Sequence, residues 1–478
     1  MKSDRRRFIA TAGATATGLL TGGISSIKGN GLHEPDCLSP EDRDHKQHFN
    51  MCGYAAPKLD KVRIGIIGVG NRGLAAVDRL KLIEGVEIRA LCDKRSARVE
   101  LGQKSLNDSG LPAALSYGGS EELWKEVCAS DELDLIYICT PWALHTPLAV
   151  MAMENGKHAA TEVPAVVTLE NAWQLVETSE RTRRHCMMLE NCCYDFFEML
   201  TLNMVRQGFF GDLIHAEAGY IHNLLEFNFK KDLTNDMWRL KEVQHRNGNL
   251  YPTHGLGPLC QAMDINRGER MSFLTSVSTN DFQMGKKAAE LAAEDSFFNQ
   301  FNTSSYCGNM NNTIIRTEKG RTILLHYDIT SPRPYSRIHL ISGTAGCAMK
   351  YPEPSRIARG DEWLGEDRMK QLWEQYTPEI VKRIGEMAKK VGGHGGMDFL
   401  MDWRLIDCLR NGLPLDQDVY DAALWSSIVP LSEWSVANGS KPVTIPDFTC
   451  GSYKTNIPVD INLSKGGTTG VIALPEKN

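Results

Sequence analysis

No C-x-x-C pair occurs anywhere in these 478 residues, although the chain holds 13 cysteines. Paired cysteines at that spacing build structural zinc sites and thiol redox motifs, so neither is expected and no metal centre is read from the sequence. Positive charge is not in excess either. The net charge is −6, and no basic patch interleaved with aromatics is present, which removes the electrostatic footprint of a nucleic-acid or anionic-membrane partner. No internal repeat is visible, so a solenoid is excluded. What remains is ordinary for a globular protein: 42% hydrophobic and 23% charged residues, with a length that allows two or three domains.

The N-terminal stretch "DRRRFIATAGATATGLLTGG" places Arg5 and Arg6 ahead of a short, weakly apolar run. A charged region before a short apolar region is an export signal and not a membrane span. Twin arginines followed by an apolar residue resemble the twin-arginine signal, which carries folded proteins to the periplasm. Residues 1–30 are read as this signal and polar residues 31–59 as a linker; no clear A-x-A site marks the mature start. An exported chain ordinarily uses its cysteines in disulfides. Here Cys92 in "IRALCD" and Cys139 in "LIYICTP" sit in apolar runs, and a chain folded before export meets a reducing compartment first. Most of the cysteines are therefore expected to be buried thiols.

"KVRIGIIGVGNRG" supplies an apolar strand, Val62 to Ile67, then Gly68, Gly70 and Gly73 in G-x-G-x-x-G spacing. The motif alone is weak. Its context is not: a helix-like segment follows, and a second strand, "VEIRALCD", ends at Asp93, 20 residues after Gly73. That arrangement predicts a dinucleotide-binding βαβ unit in which the pyrophosphate approaches a helix N-terminus. A carboxylate at Asp93 accepts hydrogen bonds from ribose hydroxyls and repels a 2′-phosphate, which favours NAD over NADP. "LDLIYICTP" is a further buried strand, with Trp142 and His145 just past its carboxyl end, where ligands sit in open α/β sheets.

Residues 248–258, "GNLYPTHGLGP", raise a different question. Proline removes a backbone donor and glycine costs helical order, so a non-helical turn is expected. Such a turn would fix Tyr251 and His254 in place. In "GYIHN", Tyr220 and His222 share one face if the segment is a strand.

The order of "GVGNRG", "LCD", "CTPWALH" and "EVP" resembles the glucose-fructose oxidoreductase and inositol dehydrogenase family. Typical members carry E-K-P, whereas this chain has Glu162-Val163-Pro164; the missing lysine argues against a plain alcohol dehydrogenase. A narrower match, carried by "MLENCCY", "GYIHN", "MWRLKEVQHRNGNLYPTHGLGP", "MDINRG", "SPRPY", "GGHGGMDFL" and "IPDFT" over roughly residues 60 to 450, resembles glycoside hydrolase family 109. That resemblance implies an α-N-acetylgalactosaminidase-like enzyme that hydrolyses with a tightly held NAD, regenerated each turnover. NAD-dependent glycosidases are known exceptions to the two-carboxylate pattern.

The resemblance implies transient oxidation at C3 of the sugar, elimination across C1 and C2, addition of water and re-reduction. It also implies site residues. Tyr220, Arg239, Tyr251 and Tyr335 match sugar contacts. Gly68, Gly70, Asn71, Arg72, Gly73, Asp93, Trp142, His145, Glu162, Val163, Asn191, Tyr251 and His254 match the NAD side. Tyr220, His222 and His254 are the expected proton-transfer groups, with His254 near the C3 hydroxyl and Tyr220 with His222 near C2 and C1. An unaided tyrosine, with a pKa of about 10, is a poor base and needs a cationic neighbour or a histidine partner. His394, in the glycine-rich "GGHGGMD", can approach a ligand closely.

The expected fold is α/β: an NAD-binding Rossmann domain at 60–185, a C-terminal α+β domain at 186–450 with a large open, mostly antiparallel sheet, and a tail at 451–478. "GGMDFL" to "SVANG" reads as two helices packed on the rest. The exposed face of such a sheet pairs with a second copy in similar folds, so a homodimer is expected. Two other readings stand beside the hydrolase: an NAD-dependent sugar oxidoreductase with net hydride transfer, and a sugar-binding protein without turnover. Either anomer fits an elimination route, so the linkage stays open, as does N-acetylation of the sugar.

Overall fold

A computed structural model describes residues 45–231, 235–303 and 305–472. The expected export signal, residues 1–30, lies outside the described residues. The first half runs β1 (Val62–Ile67), α1 (Asn71–Leu80), β2 (Val86–Asp93), α2 (Ser96–Asp108), β3 (Leu115–Gly118), α3 (Trp124–Ala129), β4 (Leu135–Ile138), α4 (His145–Glu154), β5 (His158–Thr161), α5 (Leu169–Thr182) and β6 (Cys186–Met188). The six strands form one parallel sheet in the order β3-β2-β1-β4-β5-β6. β1, β4 and β5 are buried along almost their whole length, as strands covered by helices on both faces must be. The strand order reverses between β1 and β4, which opens a crevice at their carboxyl ends.

The second half contributes α6 (Phe196–Arg206), β7 (Leu213–Ile221), α7 (Leu225–Asn228), α8 (Trp238–Gln244), α9 (Thr253–Ala262), β8 (Met271–Ser278), α10 (Met284–Glu294), β9 (Asn311–Thr317) and β10 (Thr322–Asp328). It continues with β11 (Leu340–Gly343), β12 (Gly346–Met349), β13 (Arg356–Arg359), β14 (Glu362–Trp363), α11 (Glu366–Tyr376), α12 (Glu379–Val391), α13 (Met397–Asn411), α14 (Val419–Ala437) and β15 (Val443–Thr444). Nine strands form an open sheet, β14-β13-β12-β11-β7-β10-β9-β8-β15, antiparallel at every pairing except β7 with β10.

The two helices read near the C-terminus are α13 and α14, and they fold back onto the dinucleotide half. Arg79 of α1 donates to Asp402 at 2.7 Å, the Tyr137 hydroxyl donates to the same carboxylate at 2.8 Å, and Ser426 accepts from the Ala165 amide at 3.0 Å. α14 opens on a capping box made by Asp418 and Asp421.

Three sequence boundaries move. β6 pairs with β5 in the first sheet, so the dinucleotide unit extends past residue 185. Residues 45–59 of the expected linker are packed: Met51 is buried in the core, and Gln47 donates to the Tyr420 hydroxyl at 2.7 Å. The described part of the C-terminal tail is tied down too, since Trp403 donates to the Thr469 carbonyl oxygen at 3.0 Å and Val471 bridges to Ile83. Of the twelve described cysteines all are free thiols, eight of them buried.

Candidate functional site

The crevice is shaped by the glycines of the β1–α1 turn. Gly68 has φ +91°, and a Cβ there would press on the Cys139 carbonyl 2.6 Å away. A Cβ on Gly73 would collide with the Gly68 carbonyl oxygen, whereas one on Gly70 would project into open space. Open space beside an uncapped helix N-terminus is the shape a pyrophosphate requires. Asp93, at the end of β2, is buried, and its Oδ1 accepts from the Arg95 amide at 2.9 Å. Asn71 accepts from Arg98 at 3.3 Å. These residues fit a dinucleotide whose ribose faces a carboxylate.

A charged network lies further along the cleft. Arg72 donates to Glu162 at 2.8 Å and to Asp398 of α13 at 2.9 Å. The other Asp398 oxygen accepts a short hydrogen bond from Asn191, and Nδ1 of His394 is 2.9 Å from the first. Burial works to raise the Asp398 carboxyl, but His394, Arg72 and Arg79 outweigh it and hold it well below the carboxylate range. His394 has φ +46° between glycines that also take positive φ, and 57% of its side chain is exposed. Three residues expected on the NAD side, Arg72, Glu162 and Asn191, thus share a set of partners with His394. Val163 is buried. His145 is placed differently. Its Nδ1 faces the Pro164 carbonyl oxygen at 2.7 Å and its Nε2 that of Thr140 at 2.8 Å, so both nitrogens of the buried ring are spent on the fold.

Beside this network the expected sugar residues form one aromatic wall. The rings of Tyr220 and Tyr251 are 4.6 Å apart, those of Tyr251 and His254 4.9 Å, and those of Tyr220 and His254 5.6 Å. Trp142, from the end of the first sheet, stands 5.8 Å from Tyr251 and 5.4 Å from Trp238. The Arg239 guanidinium lies 5.3 Å from the Trp142 ring, 5.0 Å from Trp238 and 5.6 Å from Tyr251. His222 is 5.1 Å from Tyr335, whose hydroxyl accepts from Arg337 at 3.2 Å. The Tyr220 hydroxyl and His222 Nδ1 are hydrogen-bonded at 3.0 Å. Burial pushes the Tyr220 phenol up, while the Arg239 charge works to lower it. Burial lowers His222, with Arg239, His254 and His394 adding to the effect. Tyr220 therefore has both a histidine partner and a cation.

The segment carrying Tyr251 and His254 departs from the expected turn. Residues 253–262 are helix α9, with Pro258 inside it. Tertiary packing overrides the low helical propensity. A Cβ on Gly255 would sit 2.7 Å from the Gly219 amide nitrogen of β7, and one on Gly257 would sit 2.9 Å from Glu190 Cγ and 3.0 Å from Trp425. The glycines let a helix lie directly on the sheet, and His254 sits in its first turn.

Glu190, just past β6, was not singled out from the sequence. Its carboxylate is buried, with Oε1 and Oε2 2.8 and 3.0 Å from Nδ1 of His254, and Oε1 also accepts from the Cys192 amide at 3.1 Å. Burial alone would raise this carboxyl, but His254 beside it holds it below its ordinary value. Donor atoms of Glu190, Cys192 and His254 lie within 4.8 Å of one another. Within this set Glu190 and His254 are hydrogen-bonded to each other, and burial pushes the Cys192 thiol well up. Trp238, Asp398 and Glu190 were the residues missed; an acidic residue ending an apolar strand, as in "MMLENCC", was the available signal for the last. A cavity of about 610 Å³ lined by Asn247, Asn280, Asp281, Phe282, Lys286 and Thr303 contains none of the residues above.

Comparisons with known proteins agree on both halves. Residues 62–190 match the oxidoreductase family with an NAD-binding Rossmann fold, and residues 194–455 match the glycosyl hydrolase 109 C-terminal domain. A glycosyl hydrolase family 109 protein of Phocaeicola vulgatus is 47% identical over 410 residues, covering 85% of this chain and 98% of the relative. An alpha-N-acetylgalactosaminidase of Bacteroides fragilis is 47% identical over 410 residues, 85% of this chain and 96% of its own. Among solved structures, scyllo-inositol dehydrogenase from Lactobacillus casei with bound NAD(H) and scyllo-inositol superposes with a TM-score of 0.57 at 12% identity, over 80% of this chain and 99% of that one. At that identity the likeness speaks for the fold alone.

Proposed function

The chain belongs to glycosyl hydrolase family 109 and is a glycoside hydrolase built on an NAD-binding Rossmann fold, and from that premise we propose that it releases terminal, α-linked N-acetylgalactosamine by redox-assisted elimination. One observation carries the reading. Tyr220 and His254 pack on Tyr251 beside Trp142, at the carboxyl edge of the dinucleotide sheet, and His222 is hydrogen-bonded to Tyr220. Proton-transfer groups against a dinucleotide cleft are what this route needs; a two-carboxylate glycosidase has no use for the cleft.

NAD, when bound, supplies a hydride acceptor for the sugar C3–H and returns that hydride in the same turnover, so it is tightly held and regenerated. Gly68, Gly70 and Gly73 give the pyrophosphate room, Asp93 meets the ribose, and Arg72, Glu162 and Asn191 border the far end of the cleft. His254 takes the proton of the C3 hydroxyl. A carbonyl at C3 acidifies C2–H, and Tyr220, backed by His222 and Arg239, removes that proton. The C1–O bond then breaks. His394, tied to Asp398 through Nδ1 and exposed on its glycine loop, protonates the leaving oxygen. Water adds at C1, the proton returns to C2, and the reverse proton transfer at His254 restores the C3 hydroxyl. The twin-arginine pattern in residues 1–30 supports export to the periplasm as the place of action.

The test is incubation of the purified protein with p-nitrophenyl α-N-acetylgalactosaminide in deuterated water, without added NAD. Nitrophenol release with deuterium at C2 of the product is expected. Release without C2 exchange leaves a glycosidase of another mechanism. No release, with steady formation of reduced cofactor when NAD and free sugars are supplied, moves the assignment to a sugar oxidoreductase.

A further inference from the structure

His254 does not stand alone: its Nδ1 is 2.8 Å from one Glu190 oxygen and 3.0 Å from the other. Glu190 is fully buried, and among the described residues its ion pair is with His254. Burying a carboxylate without hydrogen-bond donors is costly, so its place in the fold depends on the donors around it, Nδ1–H of His254 first among them. The carboxylate is also immobile. Oε1 accepts from the Cys192 amide at 3.1 Å, and its main-chain oxygen accepts from Gln417 at 3.0 Å. Gly257 of α9 presses on its side chain so closely that a Cβ would come within 2.9 Å of Glu190 Cγ. The hydrogen bond one ring nitrogen makes decides which tautomer a histidine holds. With Nδ1–H given to Glu190, Nε2 carries the lone pair, on a ring flanked by Tyr251 and Tyr220.

We propose that Glu190 is a positioning residue that fixes His254 as the Nδ1–H tautomer and orients it as the base for the sugar hydroxyl. The inference rests on the preceding reading of His254. A carboxylate–imidazole pair of this kind acts through orientation and stabilisation of the imidazolium, and the carboxylate takes no proton itself.

The test compares Glu190→Gln, Glu190→Asp and His254→Gln in the full-length holoenzyme with the nitrophenyl substrate. Glu190→Gln keeps the shape and removes the charge. Its kcat is expected to fall about 100-fold or more, with KM and NAD content per chain unchanged. A fall in kcat at unchanged KM and NAD content separates loss of the carboxylate's hold on the ring from a general loosening of the site. Glu190→Asp keeps the charge and is expected to recover part of the rate. In wild-type protein labelled with ¹⁵N-histidine, the resonances lost in His254→Gln are expected to report the Nδ1–H tautomer, a readout that needs no Glu190 variant to fold. An Nε2–H tautomer overturns the proposal. So does a wild-type rate in Glu190→Gln when His254→Gln is inactive. Wild-type hydrolysis by His254→Gln instead sinks the assignment of His254, on which the dyad rests.

Discussion

The Tyr220 phenol oxygen lies 3.0 Å from Nδ1 of His222, at the end of β7, with the Arg239 charge close enough to work against the burial of the phenol. A tyrosine this buried is a poor base on its own. The histidine offers a path for its proton, and the guanidinium favours the phenolate.

Tyr220→Phe removes the only oxygen on that ring. It is expected to lower kcat by about 100-fold or more and to suppress C2 deuterium exchange to the same degree, while NAD content per chain stays at the wild-type value. His222→Gln is expected to retain more activity than Tyr220→Phe. C2 exchange at the wild-type rate in Tyr220→Phe removes the phenol from the C2 step.

Asp398 joins the two halves at the cleft, accepting from Arg72 at 2.9 Å and from Asn191, and holding His394 at 2.9 Å. Asp398→Asn leaves the charges of Arg72 and the buried Arg79 only partly matched, by Glu162 and Asp402. Removing one partner of a buried ion network costs about 3 kcal/mol. The expected result is a lower urea midpoint together with less NAD retained on purification. An unchanged midpoint with full NAD content shows that Glu162 and Asp402 suffice.

Acid is expected to loosen the fold before it reaches most carboxylates. His158 and His339 are buried, and burial lowers each from an ordinary 6.5 to about 3. The unfolded chain therefore binds protons that the folded chain refuses. Their contribution to stability is complete above pH 6.5 and is lost as pH falls toward 3, by about 2 kcal/mol per ring between pH 7 and pH 5. Asp418, pushed up to about 6 by burial and by Asp421, works in the opposite sense over that range and offsets part of the loss. His185, held well below its ordinary value by burial and by His158, adds to the fall, so urea titrations are expected to show a lower midpoint at pH 5 than at pH 7. Replacing His158 by an apolar residue of similar size removes its share.

Much of the site was legible because its signals are local. The glycine spacing, Asp93 at a strand end and the alternation of Tyr220 and His222 lie within one or two elements each. Glu190 offers one local signal, an acidic residue ending an apolar strand, but its partner is His254, 64 residues later, and nothing in "LENCC" encodes that meeting. Asp398 was missed for the same reason: its importance comes from Arg72 and Asn191, brought to it by the return of α13 onto the first sheet. Helix α9 was misread because Gly255, Gly257 and Pro258 carry the local signature of a turn, while close packing on Gly219, Glu190 and Trp425 selects a helix. Local propensity loses to tertiary contact wherever backbone must approach backbone.

Gly70 and Gly73 separate binding from folding within one turn. Gly73→Ala forces a Cβ into the Gly68 carbonyl and is expected to destabilise the chain with or without cofactor. Gly70 has an ordinary φ of −68°, and its Cβ would meet nothing within 4 Å. Alanine there costs the NAD-free fold little, within about 0.5 kcal/mol. It fills the space the pyrophosphate needs, so NAD content is expected to fall and the melting temperature to lose its rise on NAD addition. Thermal melts of the stripped and NAD-saturated variants check both halves. A Gly70→Ala chain that still melts higher with NAD places the pyrophosphate away from the β1–α1 turn.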